Sequence, residues 1–214
     1  MQAPQDTKPR WERRKDARPQ ELLAAALDQF VERGYAATRL EDVARRAGVS
    51  KGTLYLYFAN KEELFKAVVR DTIVHTIGEA EQDAAGFDGP SADLLREILM
   101  RWWDRICSTP IAGITKLMLA EGNNFPELVQ FHNEEVVERG RKLITSVLLR
   151  GMARAEFRAV DADVMTQVLI APVMMLMMWT SSFVPACTMS PVEPRAFMDA
   201  FIDSSLRGLR ADPA

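Results

Sequence analysis

The chain has 214 residues, 48% of them hydrophobic and 27% charged, and a net charge of −3. That is the make-up of a soluble globular protein long enough for one large core or two small ones, without coiled-coil heptads or internal repeats. The leading MQAPQDTKPRWERRK carries charge but no apolar segment, so no signal peptide is expected.

The charge is unevenly divided. Residues 1–60 hold 11 Lys+Arg against 8 Asp+Glu, and residues 61–214 hold 16 against 22. Within the first part, residues 19–60 balance 5 against 5, so the positive excess sits in residues 1–18. Attraction to phosphates follows local charge within a Debye length of about 8–10 Å, not the whole-chain sum. Residues 1–18 therefore read as a basic flexible arm able to approach an acidic polymer, or as a solvated tail.

From Pro19, which suits a helix start, Leu22, Leu23, Ala26, Leu27, Phe30 and Val31 form a helical apolar stripe that Gly34 ends. Leu40, Val43, Ala44 and Ala47 recur at i, i+3, i+4, i+7. Thr38 and Glu41 have capping-box spacing at the start of that second helix. Gly48 permits a turn, Ser50 can cap a third helix, and Leu54 and Phe58 face its core side. Lys51, Gly52, Tyr55 and Leu56 then face outward. This is the plan of a helix-turn-helix DNA reader over residues 19–60.

Asn60 can cap the next helix, whose stripe of Leu64, Phe65, Val68, Val69, Ile73 and Ile77 runs to about Glu81. AAGFDGPSAD is a loop by composition. No flexible linker divides the chain here, which predicts a rigid join. Ser91 is a candidate cap for a helix carrying Leu94, Leu95, Ile98, Leu99, Trp102, Trp103 and Ile106. Thr109-Pro110 stops it, a shorter helix spans 111–122, and a long one runs from about Pro126 to Ala155. Asp161 or Asp163 starts a helix that is apolar nearly all round, and Pro172 is expected to kink it. Its most apolar run, Val168 to Trp179, is shorter than the about 20 residues that cross a bilayer, so no membrane is expected. A proline-containing loop over 181–194 precedes a last helix over 194–209.

The fold class is thus all-α: an N-terminal three-helix helix-turn-helix domain joined to a larger helical regulatory and dimerisation domain over residues 61–214. The pattern T-x-x-x-[VI]-A-x-x-A-G-V-S-x-G-T-L-Y-x-Y-F-x-x-K-x-x-L, specific over about Glu21 to Leu64, closely resembles the DNA-binding signature of TetR-family transcriptional regulators. L-x-L-A-E-x-x-x-F-P-E-L further on is similar to the regulatory domains of a subgroup of that family.

For DNA, Ser50, Lys51, Gly52, Thr53 and Tyr55 are the candidates on the recognition helix. The resemblance implies phosphate contacts at Thr38, Tyr57 and Lys61, and Arg39 and Arg45 are added by charge. One helix pair reads too few base pairs for specificity, so a homodimer on double-stranded DNA with an inverted-repeat operator is expected. Family members pair through a four-helix bundle, which points to Val164, Val168, Met175, Trp179, Phe197, Phe201 and Leu209 as the dimer interface. The alternative is that the same residues form the monomer core. Aromatics mixed with methionines suit an adaptable pocket for a small apolar or amphipathic ligand. Its candidates are Trp103, Met118, Asn124, Phe125, His132, Gln167, Met174 and Met178.

The expected function is a transcriptional regulator, a repressor released from its operator by the ligand. A regulator controlled by a protein partner is the alternative. A helical enzyme is disfavoured, since no G-x-S-x-G is present and Cys107, Cys187, His75 and His132 fit no metal-ligand spacing. No cofactor or metal is expected, and the two cysteines suit a reduced, cytoplasmic setting.

Overall fold

The computed structural model describes residues 10–183 and 192–211. Among them the only β-type pairing is one isolated bridge between Phe157 and Arg210. The helices form two compact units, the first ending at Asp71 and the second beginning at Thr72.

The first unit contains α1 (Arg10–Ala37), α2 (Leu40–Arg46), α3 (Lys51–Tyr55) and α4 (Lys61–Val69). Helix α1 begins at Arg10, so Pro19 lies inside it and not at its first turn. The arm expected over residues 1–18 thus overlaps a helix, and residues 1–9 lie outside the described part. Gly34, at φ 81° and ψ 171°, breaks the helical path near its end. Leu22, Ala26 and Phe30 are fully buried, whereas Val31 at the stripe's edge is exposed. Phe65 of α4 meets Phe30 edge-on at 5.2 Å and Tyr35 at 5.5 Å. This aromatic cluster draws α4 into the first unit, so the unit boundary falls after Asp71 and not after residue 60. Each such fully buried aromatic contributes about 1.5–3 kcal/mol of transfer free energy.

Two polar side chains fix the approach to the helix-turn-helix. The Thr38 hydroxyl donates to the carbonyls of Gln29 (3.0 Å) and Gly34 (2.6 Å). Arg39, not Thr38, is the N-cap of α2, and it makes no side-chain cap bond. The capping box expected at Thr38–Glu41 is therefore absent, because the hydroxyl is spent on the end of α1. The Lys61 ammonium donates to the carbonyls of Tyr35 (2.7 Å), Ala36 (3.1 Å) and Thr38 (3.0 Å), and sits 4.5 Å from the Tyr35 ring centre. A cation over carbonyls that end a helix satisfies orphan acceptors and complements the dipole.

A π-type turn at Arg70–Val74, across the boundary between the units, leads from α4 into α5 (His75–Ala85). Then come α6 (Ser91–Trp102), α7 (Ala112–Glu121), α8 (Pro126–His132), α9 (Glu138–Ala153), α10 (Ala162–Met178) and α11 (Pro194–Leu209). Leu95, Leu148, Leu169, Val173, Met198, Ile202 and Leu209 are fully buried where α6, α9, α10 and α11 pack together. Ser91 does not cap α6; Pro90 occupies that position. The Glu156 carboxylate instead accepts from the Ser91 amide at 2.6 Å, and hydrogen bonding from the Ser91 side chain and then its amide holds the Glu156 pKa below the ordinary carboxylate value. Arg150 closes the preceding loop, donating to Ser91 Oγ (3.0 Å) and to the Phe87 (2.9 Å) and Gly89 (2.7 Å) carbonyls.

Asp161 caps α10, accepting from the amides of Asp163 and Val164 at 3.0 Å each. The helix continues through Pro172 and passes into a π-type turn at Trp179–Phe183. Helix plus turn make Ala162–Ser181 long and apolar enough to cross a membrane, a test that core helices also pass. The run is therefore longer than its sequence core suggests. Its exposed residues include Val164, Val168, Ala171 and Met175, which fall on one helical face. Cys187 and part of the expected 181–194 loop lie outside the described residues.

Candidate DNA interface and ligand cavity

Helix α2 buries Leu40, Val43 and Ala44, and α3 buries Leu54. Between them Gly48 has φ +66°, a conformation that an L side chain enters at a cost. Ser50 caps α3, its hydroxyl accepting from the Thr53 amide at 3.1 Å. Burying Leu54 forces the other side of this short helix outward. Lys51, Gly52 and Tyr55 are exposed, as are Ser50, Tyr57, Arg39 and Arg45. Thr53 is half-buried and its hydroxyl hydrogen-bonds that of Ser50 at 2.9 Å. A Cβ on Gly52 would meet only the Ser50 hydroxyl, at 3.7 Å. The fold itself does not need glycine there. Leu56, directly after α3 and beside Tyr55, is 83% exposed.

Two candidate phosphate contacts are engaged within their own unit. Thr38 is 1% exposed with its hydroxyl turned inward. Lys61 donates to carbonyl acceptors of its own chain.

The unit's charge is laced. Arg46 pairs with Asp28 (2.9 Å) and Glu32 (2.7 Å), Arg33 with Asp42 (3.2 Å), and Arg45 also with Asp42 (3.1 Å). Lys51 pairs with Glu41, which raises the lysine pKa and lowers that of the glutamate. Arg39 is exposed. Exposed pairs of this kind are weak and screened, so phosphates can replace the carboxylates.

The second unit holds a partly open cavity of about 270 Å³. Ile73, Ile77, Ile98, Ile144, Ile170 and Met177 supply much of its apolar wall. Of the sequence candidates, His132, Gln167 and Met174 line it, whereas Trp103, Met118, Asn124, Phe125 and Met178 do not. Trp103 is 5% exposed and belongs to the hydrophobic core, and its neighbour Trp102 takes the wall position. One residue of helical phase, 100°, separates the two. Asn124 is exposed. Met178 packs against the core cluster. Sequence reasoning missed the contribution of α5 and its preceding turn, although the i, i+4 pair Ile73 and Ile77 had been read as part of a stripe.

His132 is 8% exposed, and its Nε2 is buried with no hydrogen-bond partner. Burial pushes its pKa down to about 4, so the ring is neutral at pH 7. Cys107 is buried and its thiol is pushed up to about 12 by desolvation, which keeps it unreactive.

Among the dimer candidates, Val164, Val168 and Met175 are 60%, 51% and 63% exposed. Trp179, Phe197 and Phe201 are half-buried, the two phenylalanines with ring centres 6.5 Å apart. Leu209 is fully buried in its own unit and is core, not interface.

A helix-turn-helix with an exposed recognition face, followed by a helical unit enclosing a cavity, defines a DNA-binding transcriptional regulator. Two family models match the chain: bacterial regulatory proteins of the tetR family over residues 22–68, and the C-terminal domain of AefR-like transcriptional repressors over residues 93–208. The chain belongs to the TetR family. It is 30% identical over 149 residues to the transcriptional repressor KstR2 of Mycolicibacterium smegmatis, covering 69% of this chain and 71% of that protein. It is 41% identical to the transcriptional activator FasR of the same organism over 68 residues, 32% of this chain and 31% of FasR. Its fold matches that of the regulator FadR from Bacillus subtilis, solved with stearoyl-CoA, at a TM-score of 0.74. That match has 21% identity and covers 89% of this chain and 99% of FadR.

Proposed function

We propose that this TetR-family regulator is a cytoplasmic homodimeric repressor that leaves an inverted-repeat operator when a small apolar or amphipathic ligand enters the second unit. The observation that carries the reading is the cavity, with apolar side chains making up most of its wall. A domain controlled only by a protein partner has no need of such a void, because empty apolar space costs stability. The repressor KstR2 and the FadR complex with stearoyl-CoA support both the direction and the kind of ligand.

Gly52, Tyr55 and Leu56 are assigned to base edges, and Arg39, Arg45, Lys51 and Tyr57 to phosphates, with Ser50 and Thr53 shaping the start of the helix. The exposed stripe of Val164, Val168 and Met175 is assigned to the partner protomer. The cavity wall includes Ile73, within the π-type turn after α4, and Thr76 and Ile77, which follow that turn. A ligand pressing on them is positioned to alter the spacing of the two recognition helices. A coupling of about 1–3 kcal/mol would change operator affinity about 5–150-fold. No catalytic role is assigned.

The test is selection of bound fragments from the host genome, followed by operator titration with and without candidate ligands. A ligand that fills the cavity yet leaves operator affinity unchanged refutes the release mechanism.

A further inference from the structure

We propose that the effector carries a neutral hydroxyl or carbonyl oxygen on an otherwise apolar frame, and that His132 is the specificity-determining residue that hydrogen-bonds it. This rests on the cavity being the effector site.

The wall offers few polar groups, and most are committed or reached by solvent. The Arg101 guanidinium is held by Asp83 (2.6 Å) and Glu97 (2.7 Å). The Thr76 hydroxyl donates to the Thr72 carbonyl at 2.8 Å. Gln167 is exposed, and Arg141 and Thr115 are partly exposed. His132 differs from all of these. It lines the cavity, it is 8% exposed, and its Nε2 is buried without a partner. The only other such atom among the described side chains is Gln29 Oε1, in the first unit. An unmet buried polar group is unfavourable. A bound molecule that completes the bond relieves that cost.

The chemistry of the ring narrows that molecule. A neutral imidazole has one donor and one acceptor nitrogen, and tautomer exchange lets Nε2 serve as either. It therefore suits a hydroxyl, ketone or ester oxygen. An ionised carboxylate would seek a cation such as Arg141 of the same wall and not this ring, which burial keeps uncharged down to about pH 4. The Cβ–Cγ torsion has broad minima, and a turn about it is what would present Nε2, now buried, to the ligand.

The matched probes are naphthalene and 2-naphthol, which differ by one neutral hydroxyl. Each is titrated calorimetrically at pH 7 into the full-length protein, into His132→Leu and into His132→Gln. Naphthol is the less hydrophobic of the two, so a preference for it must come from the polar contact. Wild type should prefer 2-naphthol about tenfold, the effect of one buried hydrogen bond. His132→Leu should reduce the preference to within about twofold through weaker naphthol binding, and His132→Gln should retain part of it. Equal affinity of wild type for the two probes, or an unchanged preference in His132→Leu, overturns the assignment while leaving the cavity as a binding site. Failure of both probes to bind, or binding that survives blocking the cavity with Ile170→Trp, overturns the cavity reading itself.

Discussion

Acid should destabilise this protein through His132 in a way that one substitution removes. The side chain is 8% exposed, and burial lowers its pKa from 6.5 to about 4. The sign follows from proton uptake. Above pH 6.5 the ring is neutral in both folded and unfolded chains and contributes nothing. Between pH 6.5 and about 4 the unfolded chain binds a proton that the folded chain refuses, so stability falls as pH falls. Below about 4 both forms are protonated and the loss is complete. Integrated from pH 7 to pH 5, the penalty is about 2 kcal/mol. The assay is urea unfolding of wild type and His132→Leu at several values across that window, taking the difference at each pH. The difference cancels His75 and the carboxylates, which both proteins share. The gap between the two curves should shift by about 2 kcal/mol in favour of the variant as pH falls from 7 to 5. Parallel curves would show that water or another partner reaches the ring, and the argument from an unpaired buried imidazole would fail.

Other outcomes follow from the first and second units. Lys61→Met should lower the stability of the helix-turn-helix by about 1.5–3 kcal/mol in thermal or urea unfolding, because charge-assisted bonds to α1 carbonyls are lost. Arg39→Ala should leave stability intact and reduce the salt slope of operator binding by about one, as loss of a single phosphate contact does. Gly48→Ala should cost about 1 kcal/mol through its left-handed backbone, while Gly52→Ala should unfold at the wild-type temperature yet bind operator at least tenfold more weakly. Met175→Glu should convert the dimer to monomers by light scattering and abolish cooperative operator binding; a persisting dimer places the interface elsewhere.

Sequence by itself determined the helices and the reader. Apolar spacing marks Leu40, Val43, Ala44 and Leu54 as one buried side, and that burial obliges Lys51, Gly52 and Tyr55 to face out. Local capping chemistry was equally legible at Ser50, Asn60 and Asp161, whose side chains accept from amides two or three residues ahead. These signals need only neighbours in the chain. Where partners are distant, sequence pattern was insufficient. Thr38 has the spacing of a cap, but its hydroxyl goes to Gln29 and Gly34. Lys61 stands at a phosphate-contact position of the signature, but three carbonyls of its own chain hold it. Trp102 and Trp103 are indistinguishable by composition; packing against α9 and α10 sends one to the cavity wall and the other to the core. Leu209 extends an apolar stripe that could face a second protomer, and only the closing of α11 on its own unit buries it. A periodicity shows which side of a helix avoids water. Only the tertiary arrangement decides whether that side meets core, cavity or partner, because all three offer the same freedom from water.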